Sequence, residues 1–158
     1  MKMTEWFGKW ELNNLTISTS FLELEFEFSQ KDKIAAWEMY IELLTRITTQ
    51  PLDDDAGLEK TALKSIYSLF DITREILKTN GYKCQKFAHL AIIILNQIIR
   101  PFTAKWHKIS EEGGFQKSDL RKDFRCELSE LQRKLGIYNG MLSEIIGIKD
   151  LANIDKIE

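Results

Sequence analysis

Proline, cysteine and histidine are scarce in this 158-residue chain, which holds two of each. With only Pro51 and Pro101 to break it, the backbone is free to form long helices. Cys84 and Cys126 fall in separate segments, with no second cysteine at metal-ligand spacing. That excludes a disulfide framework and favours free thiols in a reducing compartment, so a cytoplasmic protein is expected. An excess of either charge is also missing, since 22 Lys and Arg face 24 Asp and Glu. No overall positive field draws the chain to an anionic polymer or surface, and no DNA partner is expected. The longest apolar stretch, Phe87 to Ile99, is shorter than the roughly 20 residues of a bilayer span and carries His89 and Asn96. The opening MKMTEWFGKWELNN lacks the apolar core of a signal peptide, so neither a leader nor a membrane anchor is expected. No nucleotide-binding glycine loop, metal cluster or hydrolase triad is visible, and no cofactor or metal is expected. At this length the prior is one domain: residues 1–28 as a strand or hairpin segment, 29–148 as a helical bundle, and 149–158 as a tail.

What the chain does have is the stretch from Lys83 to Ser110. Turned by about 100° per residue as a helix, its Phe87, Leu90, Ala91, Ile92, Ile94, Leu95, Ile98, Ile99, Phe102, Trp106 and Ile109 cover most of the circumference. A narrow polar stripe remains for Gln85, His89, Asn96, Arg100, Thr103 and His107. A helix apolar on most sides must be sheathed by others.

The other segments supply that sheath. FLELEFEF, from Phe21 to Phe28, alternates strictly and predicts a half-buried strand. Trp6 to Leu12 and Leu15 to Thr19 are its candidate partners around an Asn13-Asn14 turn. Such a ribbon is marginal alone, so it either lies on the bundle or pairs with a second chain. Ser29 and Asp32 form a capping box for a helix over about 31–49. Its expected inward seam is Ile34, Trp37, Ile41 and Leu44, flanked by Tyr40, Leu43 and Ile47, with Glu38, Glu42 and Arg46 outside. A second helix should follow PLDDDAG and run over about 55–80, ending at Asn80-Gly81. The run Asp53 to Asp55 suits the positive end of that helix better than it suits a cation. After the Gly-containing turn EEGGFQKS, Ser118 should cap a fourth helix to about Gly147. There Phe124, Leu128, Leu131, Leu135, Tyr138, Leu142 and Ile145 keep a coiled-coil-like spacing. Gly140 lies off that seam and suggests close packing or a weak point. Lys117, Arg121, Lys122 and Arg125 make the start of that helix basic, a solvated face first and a phosphate contact second. The four tryptophans are expected as core anchors.

On the polar stripe, Arg100 and His107 are seven apart, so a regular helix sets them within about 20° of each other and about 10 Å apart along the axis. Asn96 faces the same way one turn earlier. A guanidinium binds phosphate through two parallel hydrogen bonds, and an imidazole exchanges protons near neutral pH. Together they suit RNA cleavage without metal. Arg followed after six residues by His, in RPFTAKWH on a late helix of an all-α bundle, resembles the HEPN family of ribonucleases. That resemblance implies a composite RNA-cleaving site in a dimer, with Arg100 on the phosphate, His107 as acid or base, and Asn96 in support. It equally implies the non-catalytic binding modules of that family. Pro101, where the family carries a polar residue, is expected to kink or restart the helix.

The expected fold is mainly α, an up-and-down four-helix bundle with a small N-terminal strand or hairpin. The expected function is a non-enzymatic interaction or regulatory protein that self-associates or joins a protein partner. The alternative is a HEPN-like, metal-independent ribonuclease or RNA-binding module of a microbial toxin or defence system.

Overall fold

A computed structural model of the chain describes residues 1–10, 12, 14–46 and 58–152. Pro51, the acidic run Asp53 to Asp55, Asn13 and the tail from 153 onward lie outside the described residues. The architecture is mainly helical. Its helices are α1 (Met3–Gly8), α2 (Thr19–Leu22), α3 (Gln30–Leu44), α4 (Glu59–Tyr67), α5 (Leu69–Asn80), α6 (Gln85–Ile94), α7 (Arg100–Glu111) and α8 (Ser118–Ile146). A π-helical turn, Leu95–Ile99, joins α6 to α7, and short 3-10 turns cover Tyr82–Cys84 and Gly114–Gln116.

The local signals behave as their chemistry requires. The Ser29 side chain accepts from the Asp32 amide while the Asp32 carboxylate accepts from the Ser29 amide, a complete capping box at α3. Gly81, at φ +74°, ends α5 in a conformation that side-chain-bearing residues avoid. The expected second helix is interrupted at Ser68, whose hydroxyl turns back to the Ser65 carbonyl at 2.6 Å. α8 starts at Ser118, but Lys117 holds the capping position and no side chain caps it, so the expected Ser118 cap is absent. Near that start Gly114 is packed so closely that an added Cβ would lie 2.2 Å from Ile109 Cγ2 and 2.8 Å from the Ile109 carbonyl oxygen. Backbone cannot yield cheaply, so Gly114→Ala is expected to lower the unfolding free energy by about 2 kcal/mol in urea titrations.

Contacts between helices fix how they meet. Arg46, just past the end of α3, reaches Ser68 Oγ at 3.4 Å; Glu38, in its middle, accepts from Asn80 Nδ2 at 2.9 Å; and Ser29, before its start, donates to the Lys83 carbonyl at 2.9 Å. Phe70 then lies beneath Arg100 and Tyr67 beside His107, which sets α4 and α5 against α7. Trp106 donates to Glu127 at 2.7 Å and packs edge-on against Phe124, which ties α7 to α8. α8 makes its broadest contact with α3. Its heptad residues Phe124, Leu128, Leu131, Leu135, Tyr138, Leu142 and Ile145 are all buried, so that seam is used up inside the chain.

The expected N-terminal strand is not formed among the described residues. Thr19–Leu22 is a helical turn capped by Ser18, and only an isolated bridge, Lys2 to Glu25, follows. The alternation of FLELEFEF sorts its faces only in part: Phe26 and Phe28 pack on the buried Trp6 and the three glutamates stay exposed, but Leu24, expected on the apolar face, is 42% exposed. What is missing is a partner edge. The carbonyls of Glu25 and Glu27 accept instead from Lys86 Nζ on α6.

α3 also differs from expectation. Ala35, Ala36, Met39, Tyr40 and Leu43 face the core, whereas Ile34 and Trp37 are 38% and 41% exposed and Ile41 and Leu44 half-buried. Both phases of this helix are apolar, and the one with two alanines allows the closer approach of α8 and wins. Of the four tryptophans, Trp6 and Trp106 are therefore core anchors, Trp10 is half-buried against Gly140, and Trp37 is a surface residue.

The span Tyr82–Glu111 is long and apolar enough, by length and composition, to cross a bilayer. Its most apolar window is half buried inside the fold, as a sheathed core helix also is. Ile92, expected in that core, is 45% exposed.

Candidate functional site

Pro101 shapes the polar stripe. It has no N–H to give, yet Arg100 before it keeps right-handed helical dihedrals (φ −58°, ψ −45°), so the helix does not break. The irregularity falls one turn earlier, where the Arg100 N–H reaches back five residues to the Leu95 carbonyl. A π turn inserts one extra residue and shifts everything before it relative to α7. Gln97, within that turn, uses both ends of its amide on Thr16, accepting from its N–H at 2.7 Å and donating to its carbonyl at 2.8 Å. The N-terminal segment is thereby pinned to the central helix.

Arg100 and His107 both lie in α7 and both face the junction of α4 and α5. The guanidinium carbon of Arg100 sits 4.7 Å from the centre of the Phe70 ring, a cation–π geometry. Its Nε and Nη2 donate to Asn96 Oδ1 at 3.1 and 3.0 Å. His107, half-buried, meets Tyr67 edge-on at 4.8 Å. Thr103 lies between them, buried, and donates to the carbonyls of Ile99 and Arg100. Asn96, Arg100 and His107 thus share one side, as the spacing expects. Tyr67, 51% exposed, joins them with a phenol that could meet a ligand. Nothing in the spacing along one helix announces Tyr67, because it arrives from α4 through packing. Arg100 and His107 form no hydrogen bond with each other, and the grooves described below are lined by none of Asn96, Arg100 and His107. The patch can hold an anion against Arg100 and move a proton at His107.

His89 lies elsewhere. It stacks flat on Phe21, ring centres 3.9 Å apart, at the edge of a groove of about 640 Å³ between residues 21–29 and the start of α6. Burial lowers the imidazole pKa below its ordinary 6.5. A depressed histidine pKa means stability that is present above the unfolded-state value and is lost as pH falls through the folded one. Urea unfolding at about pH 7.5 and about pH 5 is expected to show a smaller loss on acidification in His89→Gln than in the wild type. The floor of this groove includes Asp32, whose carboxylate caps α3 and also accepts from the Phe87 amide of α6 at 3.0 Å. The positive end of α6 is therefore already supplied with an anion.

A second groove, about 560 Å³, is lined by Ser118, Arg121, Lys122, Arg125, Ser129 and Glu59. Arg121 donates to the Phe115 carbonyl at 2.8 Å, and Arg125 pairs with Glu59 at 3.3 Å, both of that pair largely sheltered. Of the basic residues at the start of α8, Arg121 and Arg125 are thus engaged within the fold, while Lys117 and Lys122 are exposed. Both cysteines are free thiols, Cys126 exposed and Cys84 buried. Burial pushes the Cys84 thiol pKa up, which offsets any activation by its neighbouring lysines. Among the described residues no three His, Cys, Asp or Glu side chains cluster as a metal site.

The fold defines a mainly helical protein with a polar patch on α7. Compared with known proteins, the chain matches no family model, no curated protein and no solved structure.

Proposed function

We propose that this chain is a non-enzymatic interaction protein of the cytoplasm, which works by associating with another protein chain, as a homo-oligomer or as a subunit of a larger assembly. Its four helical stretches are taken as an up-and-down bundle, a reading supported by the opposed contacts of successive helices. The observation that carries the proposal is the outer face of α3, where Ile34 and Trp37 are exposed in line with half-buried Ile41 and Leu44. Single exposed apolar residues are ordinary, but Ile34 and Trp37 lie one turn apart on one side, beside Ile41 and Leu44 that pack partly on the core, and such a pair is what a partner surface offers. Gel filtration with light scattering tests it. An oligomer, or a partner that co-purifies in fixed ratio, is expected; a monomer that recovers no partner from cell extract removes the proposal.

A second reading is a HEPN-like ribonuclease or RNA-binding module, with Arg100 on phosphate, His107 as acid or base and Asn96 in support. It is favoured by the Asn96 carbonyl orienting the Arg100 guanidinium on the side shared with His107. RNA incubated with the protein in EDTA is expected, on this reading, to be cleaved about 100-fold more slowly by Arg100→Ala and by His107→Ala. No cleavage, or equal cleavage by all three proteins, counts against it.

A further inference from the structure

We infer that the groove between residues 21–29 and the start of α6 is a binding site for a small monocarboxylate with an apolar body. The site is separate from the interaction surface proposed above and does not depend on it. The groove encloses about 640 Å³, within the roughly 300–1,000 Å³ of ordinary small-molecule sites. Leu24 on one wall and Tyr82 on the other are exposed apolar side chains, and half-buried Phe28 adds a ring to the first wall. His89, stacked on buried Phe21, continues the ring-lined surface. Leu24 thus leaves the core that its alternation predicts and lines the groove, where an apolar ligand would remove it from water.

Charge selects the head of the ligand. Lys86 Nζ donates to the carbonyls of Glu25 and Glu27 at 3.1 and 2.5 Å, and an ammonium group has a third N–H to give. Two neutral carbonyls hold the ammonium in place without cancelling its charge. Lys83, exposed, lines the same groove. Among the described residues neither lysine is within ion-pair distance of a carboxylate. The buried acid of the groove, Asp32, is already satisfied: Oδ2 accepts from the Ser29 amide and hydroxyl, and Oδ1 from the Phe87 amide. Glu27 is exposed, where water and salt screen it. Two uncompensated ammonium groups beside an apolar surface suit a ligand with one carboxylate and a ring or chain behind it. Phosphate fits less well, because the Phe87 amide at the start of α6 already serves Asp32 and no described arginine lines the groove.

The test is titration calorimetry of the full chain with cinnamate and octanoate, a ring and a chain that carry the same head. Acetate, with the charge alone, and cinnamyl alcohol, with the body alone, are the controls. At least one of the two acids is expected to bind with a Kd of about 300 μM, an affinity in keeping with its few heavy atoms, and both controls about 10-fold more weakly. Lys83→Glu and Leu24→Asp are each expected to weaken binding about 10-fold with circular dichroism unchanged, because both side chains are exposed. Glu27→Gln is expected to tighten it about 3-fold, by removing a negative charge from the groove. The two histidines of the chain report the place: proton resonances of the His89 imidazole shift during the titration, and those of His107, which lines no part of this groove, do not. No saturable binding of either acid up to about 5 mM overturns the inference. Equal binding of the alcohol overturns it too, as does binding that Lys83→Glu and Leu24→Asp leave unchanged. A saturable response that shifts His107 and not His89 puts the ligand elsewhere and overturns it as well.

Discussion

Trp6→Ala is expected to lower the unfolding free energy by about 4 kcal/mol, the largest single effect in the molecule. Trp6 is fully buried although it belongs to a six-residue helix at the very start of the chain. Its ring meets Phe7, Phe26 and Phe28 at centre distances of 5.2, 4.8 and 6.0 Å, and its Nε1 donates to Glu144 near the end of α8. It thus joins the first and last helices and the extended run between α2 and α3. Removing the indole opens a cavity and also uncouples the N-terminal segment, which has no sheet among the described residues to hold it. Urea titration measures the loss, and amide exchange should show residues 1–28 opening ahead of α8. Trp37→Ala is the control, expected to cost less than about 1 kcal/mol because its indole faces outward. A loss at Trp6 no larger than at Trp37 would refute the picture of an N-terminal segment anchored in the core.

Asp32→Ala should cost about 3 kcal/mol, from two separable sources. The first is the capping box, worth about 1 kcal/mol, whose Ser29 half is removed by Ser29→Ala together with the exposed bond from Ser29 Oγ to the Lys83 carbonyl. The second is the bond from the Phe87 amide, a buried donor on another helix that alanine leaves without an acceptor. Asp32 is itself only 3% exposed, so water cannot replace the carboxylate. The excess loss in Asp32→Ala over Ser29→Ala in urea titrations therefore reports mainly the bond from the Phe87 amide, with the Asp32 half of the box as the smaller part. Exchange at the Phe87 amide should accelerate in Asp32→Ala and not in Ser29→Ala. Equal losses in the two variants would mean that the cap alone matters.

Asp32 also shows how far local chemistry can be read. The pairing of Ser29 with Asp32 marks the start of α3 because a capping box is closed within four residues. The reach of the same carboxylate to Phe87, 55 residues away, has no local signature. α8 was legible for the reason α3 was not. Its apolar residues keep one phase, and all seven of its heptad positions are buried. α3 carries apolar residues in two phases, so periodicity offered two inward faces and pointed to the wrong one. The candidate site divides in the same way. Asn96, Arg100 and His107 share a side because they lie within a few turns of one helix, and spacing suffices to say so. Phe70 beneath the guanidinium and Tyr67 beside the imidazole come from other helices.

The residue order by itself determined the helical class, the ends of most long helices and the burial of the α8 seam, because caps, glycines and periodicity act over a few residues. Tertiary structure alone decided which face of α3 turns inward, that Phe21 to Phe28 finds lysine and tryptophan contacts instead of a strand partner, and that Pro101 is absorbed by a π turn. Those outcomes depend on competition between distant segments for the same surface, and the winner is set by close packing and hydrogen-bond partners that only the assembled fold brings together.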